Sequence, residues 1–294
     1  MKLSCIIITK NRPDSLKRLL QSFESQSFKN FEIIIINDGG SNLKAGNNNT
    51  KVFQNKESVG SGRSRNLGVS HAAGEIILLL DDDVELVSPN FLEEGLKPFN
   101  DKTVGIVFPR KTDIIESVKE DLSFFRESLS GELHGCSLAE AEAKQALGEK
   151  IYGPMVCFVR REAFDQALGY DSIFGWGIGH SFREESDFQS RVQKLGWKAK
   201  LSTSIFFNHH IQKSGGHGTN QFKKIFWIAH NQVVFGARHE KLWPLKQILF
   251  TGIDLPRYAW GSGRMLTYPA GLLGLGAGLA SSLIDFIKGK SAQR

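Results

Sequence analysis

Cysteine is scarce: Cys5, Cys136 and Cys157 are the only three in 294 residues, and they lie far apart with no C-x-x-C spacing. That pattern predicts buried structural thiols in a reducing compartment. No G-x-x-x-x-G-K-[ST] run occurs, so the phosphate cradle of a P-loop ATPase is missing. Gly60-x-Gly62 opens like a dinucleotide fingerprint, but Arg65 stands where the third glycine belongs, which argues against a nicotinamide enzyme. A nucleotidyltransferase would want a glycine-rich basic loop after its first strand, and Lys10-Asn11-Arg12-Pro13 is not one. No stripe of arginine and aromatic residues is evident, so nucleic acid is not an expected partner. The excess of 37 basic over 31 acidic residues, a net +6 with pI near 9.1, suits anionic lipid or a phosphorylated substrate as well.

Long apolar runs are also few. Near the N-terminus only Cys5 to Ile8 is apolar, too short for a secretory signal, and a cytoplasmic location is expected. Leu266 to Ile284 carries no charge, yet it is rich in glycine and alanine, holds Pro269, and has Arg264 before it and Lys288 and Lys290 after it. The expectation is a helix or helix pair in or against a membrane interface; a true span and a helix packed on the domain are the alternatives.

What the chain does have is three consecutive aspartates, Asp81, Asp82 and Asp83, directly after the apolar run Glu75 to Leu80. Like charges this close call for water, hydrogen bonds or a metal, and hard oxygen ligands favour Mg2+ or Mn2+. A solvated acidic turn is the plain alternative. The carboxyl end of a strand is where open α/β sheets bind ligands.

The order of elements points the same way. A strand over 3–9 leads to a helix opened by Pro13 with Leu16, Leu19, Leu20 and Phe23 at helical spacing; a strand over 31–36 ends at Asn37-Asp38-Gly39-Gly40. A short strand over 51–54, Gly60-Ser61-Gly62 and a helix through His71 precede the strand before the aspartates. Strand–helix alternation implies a mostly parallel, doubly wound α/β sheet with helices on both faces. Further strands are expected over 104–109, 152–159 and 204–207, and helices after Pro89, from Arg160 and over 222–234. Residues 113–150 read as a charged, helix-prone lid or acceptor-side insertion, with Glu116, Lys119, Glu120 and Arg126 on a solvated face.

A second acidic group, Glu184-Glu185-x-Asp187, starts a helix after the glycine-rich stretch Phe174 to Gly179. Asp187 and Arg191 are spaced i,i+4 for an ordinary ion pair, and Glu184 and Glu185 suit a helix N-terminus on electrostatic grounds alone. The functional reading makes one carboxylate a general base, tuned by its neighbour. Trp176 is placed to stack on a pyranose ring or to pack in the core.

Together these pieces resemble glycosyltransferase family 2, the inverting, nucleotide-sugar-dependent enzymes of GT-A fold. The resemblance covers roughly residues 3–210: Thr9-Lys10-Asn11-Arg12, Asn37-Asp38-Gly39-Gly40-Ser41, Arg63-Ser64-Arg65-Asn66-Leu67-Gly68, the Asp81-x-Asp83 pair, and Trp176-Gly177 leading to Glu184-Glu185-x-Asp187. It implies that Thr9 and Arg12 border the nucleotide, Asp38 bonds the base, and Arg65 approaches base or diphosphate. Asp83 would ligate Mg2+ or Mn2+, with Asp81 and Asp82 on ribose, sugar or metal, and His209 or His210 would serve metal or diphosphate. Glu185 would be the base, Glu184 would help hold acceptor or donor sugar, and Trp176, Gly177 and Asp187 would lie on the acceptor side. Asn37 departs from the family's usual aspartate, Glu185 stands where aspartate is commoner, and Lys10 replaces a frequent tyrosine.

The expected organisation is a catalytic domain over 1–218, with a nucleotide-sugar half to about 110 and an acceptor half over 111–218. A helical extension over 219–294 includes the apolar segment 265–287. The expected partners are a nucleotide-sugar donor, a glycan or lipid-linked acceptor, and the cytoplasmic face of a membrane. The competing function is a catalytically silent, membrane-associated sugar or lipid-carrier binding protein on the same scaffold.

Overall fold

The structure, a computed structural model, describes residues 2–43, 49–115, 118–120, 124–127, 133–174, 182–211, 221–240, 243–251, 255–256 and 268–287. Its centre is strand β1 (Leu3–Thr9), flanked by β2 (Phe31–Asp38) and β4 (Ile76–Asp81), both parallel to it, so that Ile6 lies between Ile34 and Leu79. β3 (Thr50–Asn55) continues the parallel edge. Strands covered on both faces need apolar side chains on both, which is why β1, β2 and β4 carry isoleucine and leucine runs while the edge strand β3 does not.

One face is covered by α1 (Pro13–Glu24) through Leu16, Leu19 and Phe23, packed with Cys5, Ile7 and Leu78. On the other, α2 (Ser61–Ser70) lies close to β1. A Cβ at Gly68 would sit 2.3 Å from Ile6 Cγ2, so only glycine permits that approach.

Beyond β5 (Val84–Leu86) and α3 (Phe91–Leu96) the sheet becomes mixed. β6 (Val104–Ile115), β7 (Val118–Glu120), β8 (Phe124–Glu127), β9 (Leu133–Cys136), α4 (Leu138–Ala146), β10 (Cys157–Arg160) and α5 (Arg161–Gln166) follow. After α6 (Glu184–Lys194) comes β11 (Lys198–His210). The strand order is β3-β2-β1-β4-β10-β6-β11-β5, with β7 on the side of β6, and β10 runs antiparallel between β4 and β6.

Three elements differ from the sequence reading. β6 runs to Ile115 instead of ending at 109, because β11 pairs with it as far as Ile114. Among the described residues of 113–150, short strands precede the helix α4, which Ser137 and Glu140 open with a reciprocal capping box. Regular strand begins only at Cys157, not at Tyr152: Gly153 packs against the Phe108 ring and Pro154 has no N–H to give a ladder. The side chains of Glu116, Lys119, Glu120 and Arg126 lie outside the described residues. All three cysteines are buried free thiols, and burial pushes Cys157 up to about 12.

The C-terminal helices are α7 (Gln221–His239), α8 (Trp243–Leu249) and α9 (Tyr268–Ile287). Gly274 and Gly278 bring α9 onto the α7 backbone; a Cβ on either would meet the carbonyl oxygen of Phe226 or His230. α7 in turn holds α6. Asp187, fully buried, accepts from Arg191 Nε at 2.8 Å, from His239 Nε2 at 2.7 Å and from Arg238 Nη1 at 3.4 Å, while Arg238 also reaches Asp171 and Asp285.

Burial, aided by Lys194 and Lys150, outweighs the pull of Asp187 and pushes His239 down to about 4. A histidine in the unfolded chain takes up its proton near 6.5, so the stability tied to the neutral ring is complete above that pH and lost as pH falls toward 4. The span corresponds to about 3 kcal/mol. Between pH 7.5 and 4 the wild type should therefore lose about that much more stability in urea unfolding than His239→Gln. Equal losses would show that His239 does not carry the effect.

Candidate active site

β1, β2 and β4 are parallel, so their carboxyl ends, with Thr9, Asp38 and Asp81, emerge on one edge of the sheet. The Asp81–Asp83 turn then reverses the chain into β5 and is tied to β11, where His210 N–H donates to the Asp83 carbonyl at 2.8 Å. Within the turn, Thr9 Oγ1 donates to Asp82 at 2.6 Å, and Arg12 Nη1 reaches Asp82 at 3.0 Å and Asp83 at 2.8 Å. One guanidinium cannot balance the group. Burial pushes the Asp82 carboxyl up to about 6, and burial together with the Asp81 charge raises Asp83 as well.

The second acidic group is delivered by α6. Arg183, just before it, adopts a left-handed backbone (φ 72°), a conformation costly for a non-glycine residue. It is held there by bonds from Nε and Nη2 to Gln232 Oε1, at 2.9 and 2.7 Å, and by its position over the Phe235 ring. The turn aims Glu184 and Glu185 back toward α2. Glu184 Oε1 accepts from Ser61 Oγ at 3.0 Å, and Glu185, a quarter exposed, accepts from Arg65 Nη1 at 3.3 Å.

Arg65 joins the two groups. Its other nitrogen, Nη2, bonds Asp81 at 2.9 Å, the guanidinium lies 5.2 Å from the Tyr170 ring centroid, and the side chain is 2% exposed. Burial alone would make it release its proton more readily, but Asp81, Glu185 and Glu184 more than reverse that and hold the charge. Asp81 from the end of β4 and Glu184 and Glu185 from the start of α6 thus meet around the buried Arg65.

Among the described residues, no group of three histidine, cysteine, aspartate or glutamate side chains is assembled for a metal ion. A two-point fit does exist. Asp83 Oδ1 is buried without a hydrogen-bond partner among the described residues and faces His209 Nε2 at 3.7 Å, oxygen and imidazole nitrogen that suit a divalent cation.

Residues 4–168 match the family described as Glycosyl transferase family 2. The chain belongs to glycosyltransferase family 2. The curated relatives it is similar to include the GalNAc(5)-diNAcBac-PP-undecaprenol beta-1,3-glucosyltransferase of Campylobacter jejuni and the uncharacterized glycosyltransferase YwdF of Bacillus subtilis. The first is 36% identical over 96 residues, 30% of this chain and 31% of the relative. YwdF is also 36% identical, over 102 residues, 33% of this chain and 38% of its own length. The chain therefore spans about a third of each. Among solved structures, GalNAc-T7 with UDP, GalNAc and Mn2+ superposes with TM-score 0.65 at 17% identity, covering 90% of this chain and 55% of that one. Staphylococcus aureus TarS 1–349 with UDP-GlcNAc gives 0.63 at 14%, covering 95% and 80%. The Pyrobaculum calidifontis mannosyltransferase PcManGT with GDP-Man and Mn2+ gives 0.55 at 16%, covering 99% and 80%. These likenesses show the GT-A fold.

The structure gives several positions of this family 2 chain surroundings that the motifs alone do not show. Asp38 does not present a free carboxylate to a base: Asn55, Ser58, Ser64 and the Val59 and Gly60 amides all donate to it, and it organises the approach to α2. The Asp187 carboxylate is buried in the α6–α7 network. Of the two histidines, alternation along β11 sends His210 to Glu85 at 2.9 Å, leaving His209 toward Asp83. Trp176 and Gly177 lie outside the described residues. Sequence reasoning missed Ser61, Tyr170 and Asp113. The first two carry no motif of their own, whereas Asp113 stands beside His209 in the β6–β11 pairing, a register invisible until the sheet is assembled.

Proposed function

We propose that this chain moves one sugar unit from a nucleoside-diphosphate donor to a hydroxyl of a glycan or lipid-linked acceptor, with inversion at the anomeric carbon, in polysaccharide or glycolipid assembly. The observation that carries the reading is the meeting of Asp81 and Glu185 on Arg65 at the ligand-binding edge of a family 2 chain. The relative named for an undecaprenol-linked substrate and the solved structures holding UDP-GlcNAc or GDP-Man support the donor and acceptor classes.

In this reading the acceptor oxygen bonds to the anomeric carbon as the bond from that carbon to the diphosphate breaks. The electron pair leaves with the nucleoside diphosphate, and the hydroxyl proton passes to Glu185. Arg65 fixes one oxygen of Glu185 and so sets the direction from which it accepts the proton. Thr9, Arg12 and Asp82 form the donor side. Asp83 and His209, with Asp81 beside them, would hold Mg2+ or Mn2+, and a bound ion would supply counter-charge for the departing diphosphate. The test is release of nucleoside diphosphate from a panel of UDP-, GDP- and dTDP-sugars with Mg2+ or Mn2+. Turnover of one donor, lost in Asp83→Asn, is expected. Binding without turnover across the whole panel would overturn the enzyme reading in favour of a silent sugar-binding protein.

The same reading has the chain working at the cytoplasmic face of a membrane. No helix among the described residues is long and apolar enough to cross a membrane. On α9, however, Leu272, Leu273, Leu279, Leu283 and Ile284 are exposed along one side, opposite Gly271, Gly274 and Gly278, and Leu273 is 70% exposed. Such a face suits insertion into the headgroup boundary of a bilayer. Leu273→Asp combined with Leu283→Asp should abolish co-sedimentation with phosphatidylglycerol-containing vesicles; unchanged pelleting would remove α9 from membrane contact.

A further inference from the structure

Asp113 belongs to no motif and sits in β6 far from either acidic group in sequence. In the parallel β6–β11 pairing it stands at the level of His209, is 8% exposed, and its Oδ1 lies 2.6 Å from His209 Nδ1. Its other oxygen accepts from Lys111 Nζ at 2.7 Å, so the carboxylate is fixed from both ends. A carboxylate offers only acceptors, so in the neutral ring the hydrogen must be on Nδ1, and the lone pair is then on Nε2. That nitrogen points at Asp83 Oδ1, 3.7 Å away, an atom without a hydrogen-bond partner among the described residues. Two lone pairs facing each other across a gap too long for a hydrogen bond are an unfavourable pair on their own and a favourable one around a cation.

We propose that Asp113 is a positioning residue: it locks His209 in the Nδ1–H tautomer and directs Nε2, together with Asp83 Oδ1, at a divalent cation. The inference rests on the metal assignment made above and adds the group that sets the orientation of its nitrogen ligand. Carboxylate–histidine–metal relays of this kind typically change metal affinity about 10–100-fold when the carboxylate is removed. Arg12 holds Asp83 by its other oxygen, Oδ2, so the arrangement leaves Oδ1 to the ion.

The test uses the full chain and Mn2+ alone, followed by the loss of the free-ion EPR signal, together with 15N–1H correlation of the His209 ring. In the metal-free wild type the ring should show its proton on Nδ1. Asp113→Ala should weaken Mn2+ binding about 10–100-fold and release the ring to a mixture of tautomers, while His209→Ala weakens binding at least as much. If His209→Ala weakens binding but Asp113→Ala does not, the positioning role is wrong and the metal assignment stands. If neither matters, the metal assignment itself fails. Should Asp113→Ala not fold, the wild-type ring decides, since a neutral ring carrying its proton on Nε2 would overturn the proposal without any variant.

Discussion

Arg65→Met is expected to lower the unfolding free energy by about 3–5 kcal/mol, the range for stranding buried charge when one partner of an ion pair is removed. The guanidinium is 2% exposed and contacts Asp81 and Glu185 directly, with Glu184 at 3.9 Å, so its loss leaves three carboxylates facing one another with no cation between them. Urea unfolding at pH 7.5 would measure the effect. Arg65→Lys should fall between, since one ammonium cannot reach Asp81 and Glu185 with the two-pronged geometry of the original. A loss under about 1 kcal/mol for the methionine variant would mean that the two acidic groups are solvated separately, and the joined site would have to be abandoned.

Glu185→Gln should reduce nucleoside diphosphate release by about 10²–10⁴-fold while leaving donor binding and thermal stability close to wild type. The amide keeps an oxygen for Arg65 Nη1 and the same shape, so what is removed is the capacity to take a proton. Glu184→Gln makes the contrast. That side chain is 3% exposed and bonded to Ser61, so its replacement should show mainly in stability, not in turnover alone. Near-normal release by Glu185→Gln would move the base elsewhere. Equal behaviour of the two variants would show that the carboxylates act as one unit.

The parallel half of the sheet was legible because its signal is local: short apolar strands, a proline-opened helix, and acidic or glycine turns at their carboxyl ends. The two acidic groups and Arg65 were also legible, and the structure brings them together. The roles of individual residues were less so. Asp38 appears in a motif associated with ligand, yet five donors from its own neighbourhood occupy it, and hydrogen-bond saturation cannot be read from a linear string. The Asp187–Arg191 spacing correctly suggested a helix-face pair, but Arg238 and His239, which complete the burial, lie beyond β11 and the next connection. Choosing between adjacent histidines needed only the two-residue period of a strand, once β11 was known to run through both. Asp113 required the register of a parallel pair, which depends on which strands become neighbours and on the irregularity between Leu201 and Phe206.

α7 holds the chain on both sides of residues 175–181. Asn231, fully buried, gives both amide hydrogens away, to the Phe174 and Phe182 carbonyls at 2.8 Å each, at the two ends of that segment; Gln232 then anchors Arg183. Anyone building chimeras to change what this chain accepts should therefore exchange 171–194 and 221–239 as one cassette. Swapped singly, either piece would meet a foreign set of donors and carbonyls, and the hybrid would lose the very alignment it was meant to redirect.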